Sequence, residues 1–180
     1  QGAAFGLARA LAAQGNYEEA TQRLTLFVEK YPQEVEAYAL LGSVVMRDPS
    51  EAAIEAALQW LNQAVDRNPA SPEALVYRAK LHRAARNDPQ AARADLKAAD
   101  DLASKQPASA NLLLLLTNEW LQLGDLDQAK ADLTAAERID PATLTDTNLD
   151  LDAFGLQKLL LRGRLALLRR AGPEGAALAD

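Results

Sequence analysis

The sequence predicts an all-α solenoid of stacked helix pairs, and two observations carry that prediction. The 180 residues are rich in Ala, Leu, Gln, Glu and Arg, which favour helices, whereas β-branched residues are sparse. One spacing of small and large residues also recurs. In segment 124–141, Ala129, Leu133 and Ala136 lie four and three residues apart and share one helix face, and Pro141 ends the helix. Because one helix pair cannot bury its apolar face alone, we expect neighbouring pairs to stack.

The same spacing occurs in three further segments of the chain. It is found at Ala20, Leu24, Phe27 and Pro32, at Ala57, Leu61, Ala64 and Pro69, and, with the proline displaced to Pro107, at Ala92, Leu96 and Ala99. The alanines that open the pattern recur every 35 to 37 residues, and another apolar helix precedes each copy. A period of this length is typical of helical repeat architectures.

This pattern resembles the tetratricopeptide repeat (TPR) family, whose unit is a pair of antiparallel helices. Matching positions include Leu7, Gly15, Tyr17 and Ala20 in the first copy, Tyr38, Leu41, Gly42 and Ala57 in the second, Ala79, Ala92 and Ala99 in the third, and Leu116, Gly124, Ala129 and Ala136 in the fourth. The resemblance covers nearly the whole chain. It implies one right-handed superhelix with repeats at 1–34, 35–69, 70–107 and 108–141, a loop at 142–152 and a partial fifth repeat at 153–180.

Turn and cap residues predict where each helix begins and ends. The expected helices span about 3–14, 17–30, 35–46, 49–67, 72–85, 89–103, 110–123, 126–139 and 153–170. Glycine-containing turns at Gly15 and Gly124 separate the helices of the first and fourth pairs, whereas the third pair lacks this glycine. The segment 142–152 is polar and acidic without helical periodicity, which predicts an extended loop. Gly172 and Pro173 predict a helix stop, with the next helix starting at Pro173.

The residue types argue against catalysis and metal binding. Cysteine is absent, which excludes disulfides, thiolate metal sites and cysteine nucleophiles. His82 is the only histidine, and it falls in a column of packing residues. The chain carries no Gly-rich phosphate loop, nucleophile elbow or convergent acid–base pair. We therefore expect a protein that is not an enzyme, with no catalytic residues, cofactor or metal.

Charge and hydropathy limit the classes of partner that we expect this chain to bind, but they do not indicate its cellular compartment. The net charge of −6 argues against nucleic acid as a partner. No apolar run is long enough to span a bilayer, so we expect no direct membrane insertion. The Ala- and Arg-rich composition is typical of bacteria, and both cytoplasm and periplasm are compatible with it. Because the chain begins at Gln1 within one helical pattern and stops at Asp180 early in another, we expect a piece of a longer protein.

The TPR resemblance implies that the first helices of the pairs line a concave groove in which partners bind. The residues expected to face this groove are Phe5, Arg9, Ser43, Met46, Arg47, Val76, Lys80, Arg83, Leu114, Asn118 and Gln122. They are mostly neutral and basic in an acidic chain, which favours an acidic or C-terminal peptide segment as ligand. Phe5 and Arg9 stand where the family's carboxylate clamp has Lys and Asn, which argues against recognition of a chaperone tail.

The predicted function is that of a protein–protein interaction scaffold, which binds a partner protein or peptide in the concave groove. Two alternative hypotheses stay open. In the first, the chain is the repeat region excised from a larger enzyme; in the second, it is a structural subunit of a large assembly of the envelope or export type.

The helix expected at 153–170 is unusual in carrying five basic residues and no acid, together with many leucines. This composition is compatible with a helix that lies on a membrane surface. On a helical wheel, however, the leucines form two separate apolar stripes. We therefore expect this helix to pack between neighbours on both sides.

Overall fold

The computed structural model consists of helices and short connections in the residues that it describes, 2–47, 50–105, 109–139 and 151–175, with the backbone alone described for 151–154 and 171–175. The helices are α1 (Gly2–Ala13), α2 (Tyr17–Lys30), α3 (Val35–Val45), α4 (Glu51–Arg67), α5 (Pro72–Ala84), α6 (Pro89–Ala103), α7 (Ala110–Gln122), α8 (Leu126–Arg138) and α9 (Leu151–Gly175). No strand occurs within these ranges. The predicted all-α fold is confirmed, and the bounds of α1 to α8 agree with those expected to within two residues.

The chain forms two compact units, Gln1–Leu102 and Ala103–Asp180. In the first unit, each helix from α1 to α4 packs against the next, and α1 also contacts α3 while α3 contacts α5. In the second unit, α7, α8 and α9 all pack on one another. Within each unit the first helices of successive pairs therefore lie side by side, as stacking of helix pairs requires.

The recurring small and large residues form the interior of both units. These positions are Ala20, Leu24, Phe27, Ala57, Leu61, Ala64, Ala92, Leu96, Ala99, Ala129, Leu133 and Ala136, and each is at most 5% exposed. The spacing of four and then three residues therefore marks the buried stripe of the second helix in each pair, as predicted. Alanine at these positions lets the paired helices approach closely, and the larger residues fill the space between them.

Glycine in a left-handed conformation ends the first helix of two pairs. Gly15 has φ of +83° and Gly124 has φ of +74°, values that side chains with a Cβ rarely adopt. After Gly15, the N–H of Asn16 donates to the carbonyl of Leu11 at 2.9 Å, which closes a Schellman cap. Where the third pair lacks the glycine, Asn87 takes a positive φ of 49°. Asparagine tolerates this region better than most residues, so the turn persists with altered sequence.

Gly15→Ala should lower the midpoint of thermal unfolding, because an alanine Cβ in the left-handed region costs about 1 kcal/mol. Gly6→Ala is the matched control, since Gly6 lies within helix α1 and a Cβ there meets nothing within 4 Å. The control should raise the midpoint, because alanine is favoured over glycine inside helices by up to about 1 kcal/mol. Equal effects of the two changes would contradict the assigned turn.

Helix α9 is longer than expected at both ends, because it includes the last two residues of the predicted loop and passes the predicted stop. It begins at Leu151, inside the segment 142–152, and continues through Pro173 to Gly175. A proline in the last turn of a helix forfeits one backbone hydrogen bond. The helix predicted to start at Pro173 is thus part of α9. Residues 142–150 and 176–180 lie outside the described part of the chain.

Arg78 joins three helices of the first unit through a polar network that the repeat pattern does not indicate. Its Nε donates to Oδ2 of Asp95 at 2.9 Å and its Nη2 to Oδ1 of Asp95 at 2.7 Å. Its Nη1 donates to Oδ1 of Asn62 at 3.0 Å, so one side chain on α5 holds α4 and α6. The hydrogen bond to Asp95 raises the pKa of Arg78, which keeps this guanidinium charged. Both partners of the ion pair are largely removed from solvent.

Candidate functional site

An open cleft of about 560 Å³ lies between α3 and α5 in the first unit. Its lining consists of Ala39, Leu40, Gly42, Ser43, Met46, Arg47, Leu61, Tyr77, Lys80, Leu81, Ala84 and Ala85. Leu61 reaches it from α4, behind Gly42, where an added Cβ would lie 3.7 Å from Leu61 Cδ1. The small residue therefore lets α4 form the floor of the cleft.

Helical spacing determines which side chains α3 and α5 present to the cleft. On α3, Leu40 and Ser43 lie three residues apart beside a buried face that includes Tyr38 and Leu41. On α5, Tyr77, Lys80 and Ala84 follow one another at intervals of three and four residues. Each helix thus turns one row of side chains to the cleft and another to the core.

The cleft combines an apolar interior with two cations. Leu40, Met46 and Tyr77 are half-buried, whereas Arg47 and Lys80 are exposed. The guanidinium carbon of Arg47 lies 5.6 Å from the centre of the Tyr17 ring, a cation–π distance that restrains the side chain without neutralising its charge. Apolar groups of a ligand can be buried in such a site while its anionic groups meet the two cations.

Two carboxylates, Glu36 on α3 and Glu73 on α5, lie close enough to the Tyr77 hydroxyl to affect its pKa. Burial, followed by the charges of Glu36 and Glu73, raises the pKa of Tyr77 to about 12. Glu36 is in the first turn of α3 and Arg47 comes just after its last turn, about 16 Å further along at 1.5 Å per residue. The two helices beside the cleft are consequently polarised, with the acids Glu36 and Glu73 in their first turns and the cleft cations Arg47 and Lys80 toward their ends.

The raised pKa of Tyr77 predicts a pH-dependent contribution to stability. The unfolded chain should ionise this tyrosine near its ordinary pKa of about 10, whereas the folded chain does so near about 12. The stabilisation is fully present below pH about 10 and is lost as the pH rises through about 12. Wild type should therefore lose more thermal stability over this interval than Tyr77→Phe does. Identical losses in the two proteins would contradict the burial of this hydroxyl.

Four of the residues predicted to face a groove line this cleft, namely Ser43, Met46, Arg47 and Lys80. Arg83 is half-buried on α5 outside the cleft lining. On α1, the Phe5 ring stacks on Phe27 with centroids 5.6 Å apart, and Arg9 is exposed.

The remaining predicted groove residues do not belong to the cleft. Val76 and Leu114 are buried in the interior at 1% and 0% exposure, so their side chains offer no surface to a ligand. Asn118 and Gln122 are half-buried on α7 in the second unit. Asn118 donates a hydrogen bond from Nδ2 to Glu119 Oε1 at 3.2 Å.

Several cleft residues were missed from the sequence, although a signal for them existed. Leu40 precedes Ser43 by three residues, Tyr77 precedes Lys80 by three, and Ala84 follows Lys80 by four. Each therefore lies on the face of a residue that was predicted. A search at these intervals on both sides of every predicted groove residue would have found them.

Within the ranges that the structure describes, the acidic and histidine side chains form no group of three that could hold a metal ion. In the same ranges, every helix is too short or too polar to cross a lipid bilayer.

Comparison with known proteins identifies the class of fold. The sequence matches no family model and no curated protein. The structure is similar to the crystal structure of a thermophilic TPR protein from Thermus thermophilus, with a TM-score of 0.63 and 23% identity over 92% of this chain and 81% of that chain. The crystal structure of the MamA protein matches with a TM-score of 0.47 and 18% identity over 98% of this chain and 94% of that one. The chain has the TPR fold, as its residue pattern predicted.

Proposed function

We propose that this chain is a protein-interaction scaffold and that the cleft between α3 and α5 binds a segment of a partner protein or a peptide. The observation that carries the proposal is the coexistence, in one open cleft, of an apolar floor and two exposed cations. The TPR fold supports the same function, because within each unit the first helices of successive pairs lie side by side.

The cleft suits a short peptide segment better than a large flat surface. Its volume of about 560 Å³ is within the usual range of binding sites and accommodates a few side chains. Met46 and Leu40 give the α3 side of the cleft an apolar surface, and methionine adapts readily to ligands of different shape. Because both walls are helices packed on a core, little conformational entropy should be lost when a ligand binds.

The proposed ligand carries a carboxylate, either in acidic side chains or at its C-terminus. Arg47 and Lys80 can form charge-assisted hydrogen bonds with such a group. Glu36 and Glu73 at the opposite end should repel acids and favour a basic or neutral residue there. The polarity of the cleft thereby defines a direction for the bound segment. A nucleic acid ligand is disfavoured by the acidic chain and by these two carboxylates.

The test is affinity capture from a lysate of the source cell, followed by titration of the captured partner. Arg47→Glu with Lys80→Glu should weaken its binding by about 10- to 30-fold, because each lost ion pair contributes up to about 1 kcal/mol and repulsion adds to the loss. The weakening should diminish as salt is raised. Lys30→Glu with Lys97→Glu is the matched control, since it changes the net charge equally at exposed positions outside the cleft lining.

A second variant tests the shape of the cleft without changing its charge. Ser43 is exposed on the cleft wall, and its hydroxyl donates locally to the carbonyl of Leu40 at 2.8 Å. Ser43→Trp should fold normally and fill the cleft, so the partner should be lost. Retention of the partner by this variant and by the charge-reversal variant would reject the cleft as the binding site.

A further inference from the structure

The cleft is lined by side chains at corresponding positions of α3 and α5. The two members of each corresponding pair lie 37 residues apart in the sequence, and all of them line the cleft: Leu40 and Tyr77, Ser43 and Lys80, and Arg47 and Ala84. Directly before Ser43 and Lys80, the small residues Gly42 and Ala79 are buried. Each helix therefore packs a small residue inward and presents the next residue to the cleft.

Helix α1 continues this face of the first unit. Ala8, which lies 34 residues before Gly42, is fully buried, and α1 contacts α3. The same shift of 34 residues relates the cleft residues of α3 to three exposed residues of α1, namely Gly6, Arg9 and Ala13. A Cβ added at Gly6 would meet nothing within 4 Å, so the surface beside Arg9 is open on that side. Arg9 thus has on α1 the position that Lys80 has on α5.

Three exposed cations of this face keep their charges available to a ligand. Among the described residues, no carboxylate forms an ion pair with Arg9, Arg47 or Lys80. Other arginines of the same unit, such as Arg23 and Arg86, form ion pairs with glutamates. Because the chain has a net charge of −6, these three residues form a local surface of opposite sign. Such a surface attracts an anionic ligand and orients it.

The distance across the three helices limits the kinds of ligand that can pair with both outer cations. Helix α3 contacts both α1 and α5, and packed helices lie about 8 to 10 Å apart, so the axes of α1 and α5 are about 16 to 20 Å apart. One carboxylate cannot span that distance. An extended chain advances about 3.3 Å per residue and therefore needs about five or six residues. Because side chains alternate along an extended chain, a spacing of six places two acids on the same side.

We propose that the binding surface continues from the cleft onto α1 and takes an internal acidic segment of a partner protein, in which two carboxylates lie about six residues apart. One carboxylate pairs with Arg9 and the other with Lys80, while Arg47 on the helix between them adds to the same positive field. The residues between the two acids lie over Leu40 and Met46 and are apolar. This inference rests on the proposed function of the cleft, and it selects an acidic segment over a C-terminal carboxylate.

The experiment titrates four synthetic peptides of seven residues into the protein at low salt and follows NMR chemical shifts. The first three peptides have blocked ends and carry glutamate at both end positions, at one or at neither, with glutamine in its place and alanine and leucine between. The fourth has no glutamate but a free C-terminal carboxylate. Wild type should bind the two-glutamate peptide about fivefold more tightly than the one-glutamate peptide, because a further exposed ion pair contributes up to about this factor.

Arg9→Gln should remove the advantage of the two-glutamate peptide while changing the affinity for the one-glutamate peptide little. Lys80→Gln should have the same effect, since either variant leaves only one of the two outer cations. Lys97→Gln is the matched control, because it removes an exposed cation on α6 outside the cleft lining. This control should bind every peptide as wild type does.

Three outcomes would overturn the inference. Equal or absent binding of the peptides with two glutamates and with one shows that the second carboxylate finds no partner. Tightest binding of the peptide with the free C-terminus assigns the ligand as a C-terminal carboxylate. An advantage of the two-glutamate peptide that survives Arg9→Gln places the second contact away from α1.

Failure of the proposed function gives a different result. If Arg47→Glu with Lys80→Glu leaves the affinity for both glutamate peptides unchanged, the cleft itself is not the binding site. If that variant weakens their binding while Arg9→Gln leaves the fivefold advantage intact, the cleft binds the acid and only the extension onto α1 is wrong.

Discussion

Leu24→Ala will lower the free energy of unfolding by about 3 to 5 kcal/mol. Leu24 is fully buried on α2 between the buried residues Ala20 and Phe27. The change removes apolar contacts and leaves a cavity between helices whose backbones are already close, so the site can collapse only partly. Urea unfolding followed by circular dichroism measures the loss, and retained helix content in the absence of urea shows that the variant still folds.

Leu26→Ala on the same helix is the matched control for this prediction. Leu26 is 66% exposed and does not belong to the recurring pattern. Its truncation should change the free energy of unfolding by less than about 0.5 kcal/mol. A comparable loss in both variants would mean that the spacing of four and three residues does not mark the buried face of α2.

Arg78→Met will destabilise the first unit by about 3 kcal/mol, because it leaves the carboxylate of Asp95 buried without the guanidinium that neutralises it. Asp95 is 8% exposed, so water can compensate only in part. The hydrogen bond to Asn62 on α4 is lost as well. Thermal and urea unfolding should both register the change, since α4, α5 and α6 lose their shared contact.

Two further variants separate charge from geometry at this network. Arg78→Lys keeps the charge but cannot form the two parallel hydrogen bonds, so it should recover only part of the stability. Arg78→Met combined with Asp95→Leu removes both charges and should be more stable than Arg78→Met alone. If the double variant is no better than the single one, the cost is not that of an unpaired carboxylate.

The fold was predictable because its signal is repeated along the chain. Each copy places alanine and a large apolar residue at the same spacing, and packing of paired helices leaves few alternatives at positions such as Ala57 and Leu61. The turns were equally clear where a left-handed residue is needed, as at Gly15 and Gly124. Asn87 shows that the backbone conformation, rather than glycine itself, is what recurs.

Features that depend on partners far apart in sequence were not predictable from the same pattern. The pairing of Arg78 with Asp95 spans 17 residues, and nothing in a helical wheel distinguishes a buried aspartate from an exposed one. An aspartate directly before the buried leucine recurs at Asp95 and Asp132, both largely buried, and this was the one available hint.

The candidate site was predictable as a region but not as a set of side chains. The TPR resemblance placed Val76 in the groove, whereas Val76 is buried and Tyr77 lines the cleft. Which side of a helix faces the core is fixed by its packing against the neighbouring helices. The length of α9 was not predictable from the local stop signals at Gly172 and Pro173, because it also depends on the packing of one face against α7 and α8.

Site-specific photo-crosslinking to the captured partner tests the central claim, that the cleft between α3 and α5 is where the partner binds. A photoreactive amino acid placed at Ser43 lies on the cleft wall, whereas the same group at Gln63 lies exposed on α4 outside the cleft lining. We expect cross-links from position 43, mapped by mass spectrometry to one acidic or C-terminal segment of the partner, and none from position 63. Cross-links from position 63 alone would contradict the claim and move the binding surface to the opposite side of the helix pair.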